Sequence, residues 1–319
     1  MKRKLLGEYI NGEGYGSYRV SLYDDGTRIM ETLGDYNEFI SSFPNSLDCK
    51  ITNKCDKNPL CKYCHEDSTP DGLHGDIMNA RFIDTLRPYT EIALGGGSIF
   101  THPDLIPFLH KLRDRKIIAN ITINQQHFME NLDLLEELTR EKLIYGIGVS
   151  FTQGKNDCLK IAAARFSNLV WHVINGVVDL DDLQWLTHPV KDANRNEKNK
   201  ITYKNAKVLI LGYKMLRRGR EFYSKKVKNR QQELYNELSE VMKWCKVISF
   251  DNLALEQLEV KRLLTNEQWN QFYQGSDGES TLYVDLPNKT YGLSSTSPIK
   301  YKLADTIDEM LATVKKEIV

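Results

Sequence analysis

An excess of charge of either sign is missing from this chain: 43 basic residues are matched by 43 acidic ones across 319 residues. No global field therefore draws it toward nucleic acid or an anionic membrane. Long apolar runs are missing too. None approaches the ~18 residues needed to span a bilayer, and the basic opening, Met1 to Lys4, is not followed by the apolar core of a signal peptide. The expectation is a soluble, cytoplasmic protein without a membrane partner. Cysteine is sparse, with six residues, so a secreted disulfide scaffold, which would be shorter and denser, is disfavoured. In a reducing compartment clustered cysteines are more often metal ligands.

What is there is a cluster. Cys55, Cys61 and Cys64 follow a C-x5-C-x2-C spacing, with Tyr63 just before the last of them, while Cys49, Cys158 and Cys245 are scattered. Three thiolates can hold three irons of a cubane 4Fe–4S cluster and leave the fourth iron open to a ligand. An open iron implies chemistry rather than electron storage. Too few cysteines remain for a second cubane with full protein ligation.

The length allows one large α/β domain with appendages. Residues 1–45 read as a β-hairpin extension, with apolar runs 18–22 and 28–32 flanking a turn at Asp24–Thr27. Residues 46–255 alternate short apolar strands with amphipathic stretches. The strands are expected at 47–51, 90–94, 117–123, 143–149, 168–174 and 206–211, with a weaker one at 246–250. Helices are expected at 77–87, 104–115, 127–141, 155–165, 179–187 and 229–244. This pattern predicts a parallel sheet and a partial (β/α)6 TIM-like barrel, with its chemistry at the C-terminal strand ends. A polar insertion is expected at 190–200. Residues 256–319 form an α+β C-terminal extension, with a hairpin at 281–286 and 290–293 and a helix near 303–317.

The cysteine loop follows the first of these barrel strands, and the second runs into Gly95, Gly96, Gly97 and Ser98. Consecutive glycines let a backbone approach a ligand closely. Taken alone, they are also compatible with a tight turn. Together with the cysteines they resemble the radical S-adenosylmethionine superfamily over roughly residues 46–255. The resemblance is sharpest at Cys55–His65 and Gly95–Gly97. That family usually spaces its cysteines C-x3-C-x2-C, and its glycine motif often carries a glutamate where this chain has Gly97 and Ser98.

The resemblance implies an enzyme in which Cys55, Cys61 and Cys64 ligate the 4Fe–4S cluster, Tyr63 packs near the adenine of bound S-adenosylmethionine, and Gly95–Gly97 receive its methionine amino group. By strand-end position alone, Ser98, Asn124, Ser150, His172 and Gly212 join the cofactor-binding set. The implied reaction is reductive cleavage of S-adenosylmethionine to a 5′-deoxyadenosyl radical, which takes a hydrogen from substrate, with the protein positioning the parts and excluding water. It also implies an external electron donor of the flavodoxin or ferredoxin kind.

A small-molecule or nucleotide-type substrate is the first reading. A peptide or protein maturase is the second, and it is disfavoured because the tail from 263 carries no cysteine. The non-catalytic alternative is a zinc-stabilised nucleic-acid-binding module. Zinc takes three cysteines and a histidine readily, but His65 adjoins Cys64, and neighbours in a loop rarely reach one ion together. Between Lys214 and Arg230 lie eight basic residues and one acid, Glu221. This run suits phosphate or nucleic acid. The favoured reading is a solvated segment, since few aromatics alternate with the charges.

Overall fold

The computed structural model describes residues 3–35, 38–191, 202–203 and 206–318. The expected insertion falls largely outside the described residues. Its first two form strand β9 (Val190–Lys191), which pairs with β10 (Thr202–Tyr203). Among the described residues no helix is long and apolar enough to cross a membrane.

At the N-terminus the expected hairpin is present as β2 (Tyr18–Tyr23) and β3 (Arg28–Thr32). An additional strand, β1 (Leu5–Asn11), makes it a three-stranded antiparallel sheet. Tyr18, Val20 and Leu22 alternate inward on β2 and pack with Ile118, so this sheet buries one face on the rest of the protein.

The main sheet carries β4 (Ser46–Thr52), β5 (Glu91–Gly96), β6 (Ile118–Asn124), β7 (Gly146–Phe151), β8 (Leu169–Ile174), β11 (Lys207–Leu211) and β12 (Val247–Phe250) as parallel neighbours. On the other side of β4 lie β13 (Thr281–Asp285), β14 (Thr290–Gly292) and β15 (Tyr301–Lys302). The tail hairpin is as expected, but β13 runs parallel to β4 and extends the same sheet. The sheet has ten strands and ends at β12 and β15.

Pleating sends alternate side chains to opposite faces. One face carries Leu47, Cys49, Ile92, Leu94, Ile121 and Val149, all in one buried cluster. Onto it pack α1 (Leu105–Asp114), α3 (Leu132–Arg140), α5 (Leu180–Thr187) and α7 (Lys225–Trp244). The other face is polar and includes Asp48, Lys50, Asn120, Thr122, Ser150 and His172. Packing across it confirms the shared side: a Cβ built on Gly95 would sit 3.9 Å from Thr122 Cβ, and one on Gly146 2.7 Å from Asn120 Oδ1.

Some boundaries move for local reasons. The expected helix at 77–87 is only a short 3-10 turn, Arg81–Thr85, because Pro88 disfavours helical backbone just before it. The expected helix at 127–141 divides into α2 (Gln125–Glu130) and α3 at Asn131, whose Nδ2 donates to His127 O at 2.8 Å and closes the first segment. The fourth barrel strand begins at Gly146 rather than 143. Leu143 and Ile144 are buried, but their amides close the end of α3 by donating to Leu138 O. Helix α7 starts earlier than expected, at Lys225, capped by Ser224. The last helix is shorter, Ile307–Lys315, capped by Thr306.

Candidate active site

Because the central strands are parallel, the ends of β4 through β8 and of β11 open on one edge. The thiol loop leaves β4 there and returns along itself. Asn53 N donates to Leu73 O at 2.8 Å, Thr69 N to Asn53 O at 3.1 Å, and Cys55 N to Thr69 O at 2.8 Å. This ribbon carries Cys55, Cys61 and Cys64 at its far end, all half-buried and free of disulfides. Burial raises the pKa of Cys55 and Cys61, and the neighbouring thiols add to that rise. The thiols line a loop rather than meet at a point: among the described residues no three His, Cys, Asp or Glu side chains gather round one ion-sized centre. Three thiols on one loop are a donor set that a cubane can take, since its thiolates each bind a different iron.

The glycine segment packs directly on the ribbon. Gly97 N donates to Thr52 O at 2.8 Å and Ser98 N to Lys54 O at 2.7 Å. A Cβ on Gly96, at φ +117°, would lie 2.2 Å from Thr52 O, and one on Gly97 would lie 2.0 Å from Lys54 O. Glycine is required at both positions for the thiol loop to lie against the end of β5. Two of the amides that the sequence offers to a ligand are therefore bonded to the loop instead. Gly95 is the uncrowded one of the three, with only Thr122 Cβ at 3.9 Å from a Cβ built there.

Tyr63 lies in a small apolar cluster with Val177, Tyr213 and Val227, its ring edge-on to Phe222 at 5.7 Å. Its hydroxyl is within hydrogen-bonding reach of Thr152 and the Cys61 thiol, and burial holds it protonated. Asn124, Ser150 and His172 occupy one register row across β6, β7 and β8, on the polar face. Asn124 is already engaged. Its Oδ1 caps α2 by accepting from Gln126 N and His127 N, and its Nδ2 donates to His127 Nδ1 at 2.7 Å. Ser98 is buried and sits 3.3 Å from the same His127 nitrogen. His172 stands two residues short of the end of β8. Its pKa is pushed down to about 4 by burial, so the imidazole is neutral. Gly212, after β11, donates its amide to Asp251 Oδ1 at 2.8 Å.

Several charged groups that the motif reading passes over grip the loop. Asp56 Oδ1 lies 3.0 Å from His127 Nε2. Lys50 Nζ, on β4, lies 2.6 Å from Glu66 Oε2 and 3.0 Å from Asp285 Oδ2 on β13. Glu66 also accepts a hydrogen bond from the Tyr283 hydroxyl at 3.2 Å and sits 3.1 Å from His65 Nε2. Burial opposes the Glu66 charge, but the bonds from His65 and Lys50 outweigh it and hold the carboxyl well below its usual range. Two residues of the basic run serve the same end. Arg217 donates to His65 O and Glu66 O, and Arg218 bonds Ser68 O at 2.6 Å and pairs with Asp67 at 2.8 Å. Arg230 pairs with Asp179 at 2.6 Å. One signal for this was readable: Lys50 stands directly between the apolar Cys49 and Ile51 within a central strand, where a lysine is not left without a partner.

A scan against protein-family models finds no match, and a search of curated proteins finds none either. Among solved structures, the chain is similar to Streptococcus suis SuiB bound to S-adenosylmethionine, at 12% identity over 82% of this chain and 62% of that one, with a TM-score of 0.49. It is similar to SuiB bound to the precursor peptide SuiA, at 14% identity over 79% of this chain and 60% of that one, with a TM-score of 0.49. It is also similar to native anSMEcpe with bound AdoMet, at 13% identity over 80% of this chain and 76% of that one, with a TM-score of 0.44. The chain spans about three fifths of the length of the SuiB structures it matches.

Proposed function

We propose that this chain is a radical S-adenosylmethionine enzyme whose substrate meets the polar face of the parallel sheet. The observation that carries this reading is the placement of three free, half-buried thiols on one loop at the C-terminal end of β4, packed against the glycine end of β5. Cys55, Cys61 and Cys64 hold a 4Fe–4S cluster, and the uncrowded Gly95 and the apolar wall at Tyr63 flank S-adenosylmethionine. When bound, these groups supply one-electron cleavage of the sulfonium and a carbon radical, with the electron coming from an external flavodoxin- or ferredoxin-like donor.

The chain's own part is positioning. On this reading residues 46–255 form a partial (β/α)6 barrel, with residues 1–45 and 256–319 as extensions. Tyr63, Val177 and Phe222 keep water from the loop's inner side. Ser150 and His172, one register row on neighbouring strands, present a hydroxyl and a neutral imidazole to a substrate on the polar face. Arg217, Arg218 and Arg230 have partners within the chain, which favours a small polar substrate over nucleic acid.

Anaerobic reconstitution with iron and sulfide tests the reading. The expected product is a brown protein with about four irons per chain that releases 5′-deoxyadenosine when given dithionite and S-adenosylmethionine. Alanine at Cys55, Cys61 or Cys64 abolishes both, whereas alanine at Cys158 or Cys245 changes neither. A colourless protein retaining one zinc overturns it.

A further inference from the structure

A buried ionic chain joins the thiol loop to two strands that are far apart in sequence. Lys50 is 2% exposed and faces the polar side of β4. Its ammonium has Glu66, two residues beyond Cys64, on one side and Asp285 of β13 on the other. Asp285 is itself held by Asn288, which donates both its amide at 3.1 Å and its Nδ2 at 2.8 Å. Tyr283, on the same face of β13, donates to Glu66. Next to Lys50 on β5 stands Gly95, and a Cβ on Gly96 would come within 3.0 Å of Lys50 Cγ, so the glycines also make room for the lysine stem.

Position in the chain explains what this arrangement does. Lys50 precedes Cys55 by five residues, and Glu66 follows Cys64 by two. Their pairing closes at its base the excursion that carries all three thiols. The outgoing half of the loop is held by backbone bonds to Gly97, Ser98 and Thr69. On the returning half, the backbone-to-backbone bonds around Cys64 stay within its own turns, Cys64 N to Cys61 O at 3.3 Å and Asp67 N to Cys64 O at 3.4 Å, and the Arg217 side chain holds this backbone at His65 O and Glu66 O. Side-chain charges therefore carry that half. A buried pair of this kind contributes through geometry: breaking one partner leaves an uncompensated charge, so the loop cannot drift without large cost.

We propose that the Lys50–Glu66–Asp285 chain is a positioning device that fastens Cys64 to β4 and to the C-terminal strand β13, making the tail part of the thiol site. The proposal rests on the reading of that site as a cluster site for its use, but not for its test. In metal-free protein, the alkylation rate of each cysteine is read by peptide mass spectrometry in wild type, Glu66→Gln, Lys50→Met and Lys50→Arg. Expected is a rise of about tenfold at Cys64 in Glu66→Gln and Lys50→Met, no change at Cys55, and recovery in Lys50→Arg. If Lys50→Met does not fold, the near-isosteric Glu66→Gln decides. Equal rates at Cys64 in Glu66→Gln and wild type, or an equal rise at Cys55, overturn the proposal. Reconstitution in parallel separates the two ideas: fewer irons in Glu66→Gln than in wild type is expected, while a wild type that takes no iron defeats the cluster reading and leaves the alkylation rates to decide the tie.

Discussion

The imidazole of His172 on β8 lies against the backbone of Gly148 on β7: a Cβ at residue 148 would fall 2.3 Å from His172 Cε1. The side chain on the polar face is held by a residue that has none. Gly148→Ala forces the ring or the strand to move and should destabilise the protein by about 1–3 kcal/mol, read from urea denaturation. The double variant with His172→Ala should cost less than the sum of the single ones, because the collision disappears with the ring.

His172 also gives the stability a pH dependence. Its folded pKa, about 4 because of burial, lies below the ordinary histidine value of 6.5. The unfolded chain thus binds the proton first as pH falls, so the contribution is intact above about 6.5 and is lost progressively toward 4. The loss approaches about 3 kcal/mol at full protonation. Denaturation at pH 7 and pH 4.5 should show a steeper decline for wild type than for His172→Gln. Parallel curves would remove His172 from the account.

The three glycines at the end of β5 should behave differently. Gly97→Ala drives a methyl into Lys54 O and should cost about 2 kcal/mol or more while disturbing the thiol loop. Gly95→Ala meets only Thr122, at contact distance, and its stability should stay within about 1 kcal/mol of wild type. If Gly95 faces the cofactor, that variant should instead weaken S-adenosylmethionine binding, read by calorimetry on the reconstituted protein.

The basic run should divide into two classes. Arg218→Ala removes the bonds to Ser68 O and Asp67 and should cost about 1 kcal/mol, with faster proteolysis between residues 55 and 68. Lys225→Ala and Lys226→Ala, exposed at the start of α7, should stay within about 0.5 kcal/mol. Thermal melts and timed digestion check both.

Chelation should empty the site without unfolding the chain. The main buried cluster includes Ile51 and Ile77 and no residue between them, so the sheet and helices do not depend on what the thiols hold. Far-ultraviolet circular dichroism before and after chelator should coincide. Collapse of the signal would mean that the metal supports the fold, as it does in small zinc modules.

The strand–helix alternation could be read from the sequence because hydrophobic periodicity is local: each central strand was foreseen to within a few residues, as was the tail hairpin. The misplaced elements had signals that compete locally. Leu143 and Ile144 look like strand but close a helix, and Asn131 interrupts a continuous apolar stripe. The three thiols were legible from spacing alone. The glycine run was legible as a special backbone, but not for its reason, which is contact with Thr52 and Lys54. Asn124 was singled out by its strand-end position, but its capping of α2 was not foreseen.

By itself, then, the sequence determined an α/β chain with three gathered thiols, because residue periods and short spacings act over a few neighbours. Only the tertiary structure decided that β13 would lie beside β4 and that Lys50 would join Glu66 to Asp285, a residue 235 positions away. Such pairings follow from which strand edges the packed sheet leaves open and from the need to neutralise a buried ammonium. No local pattern encodes either.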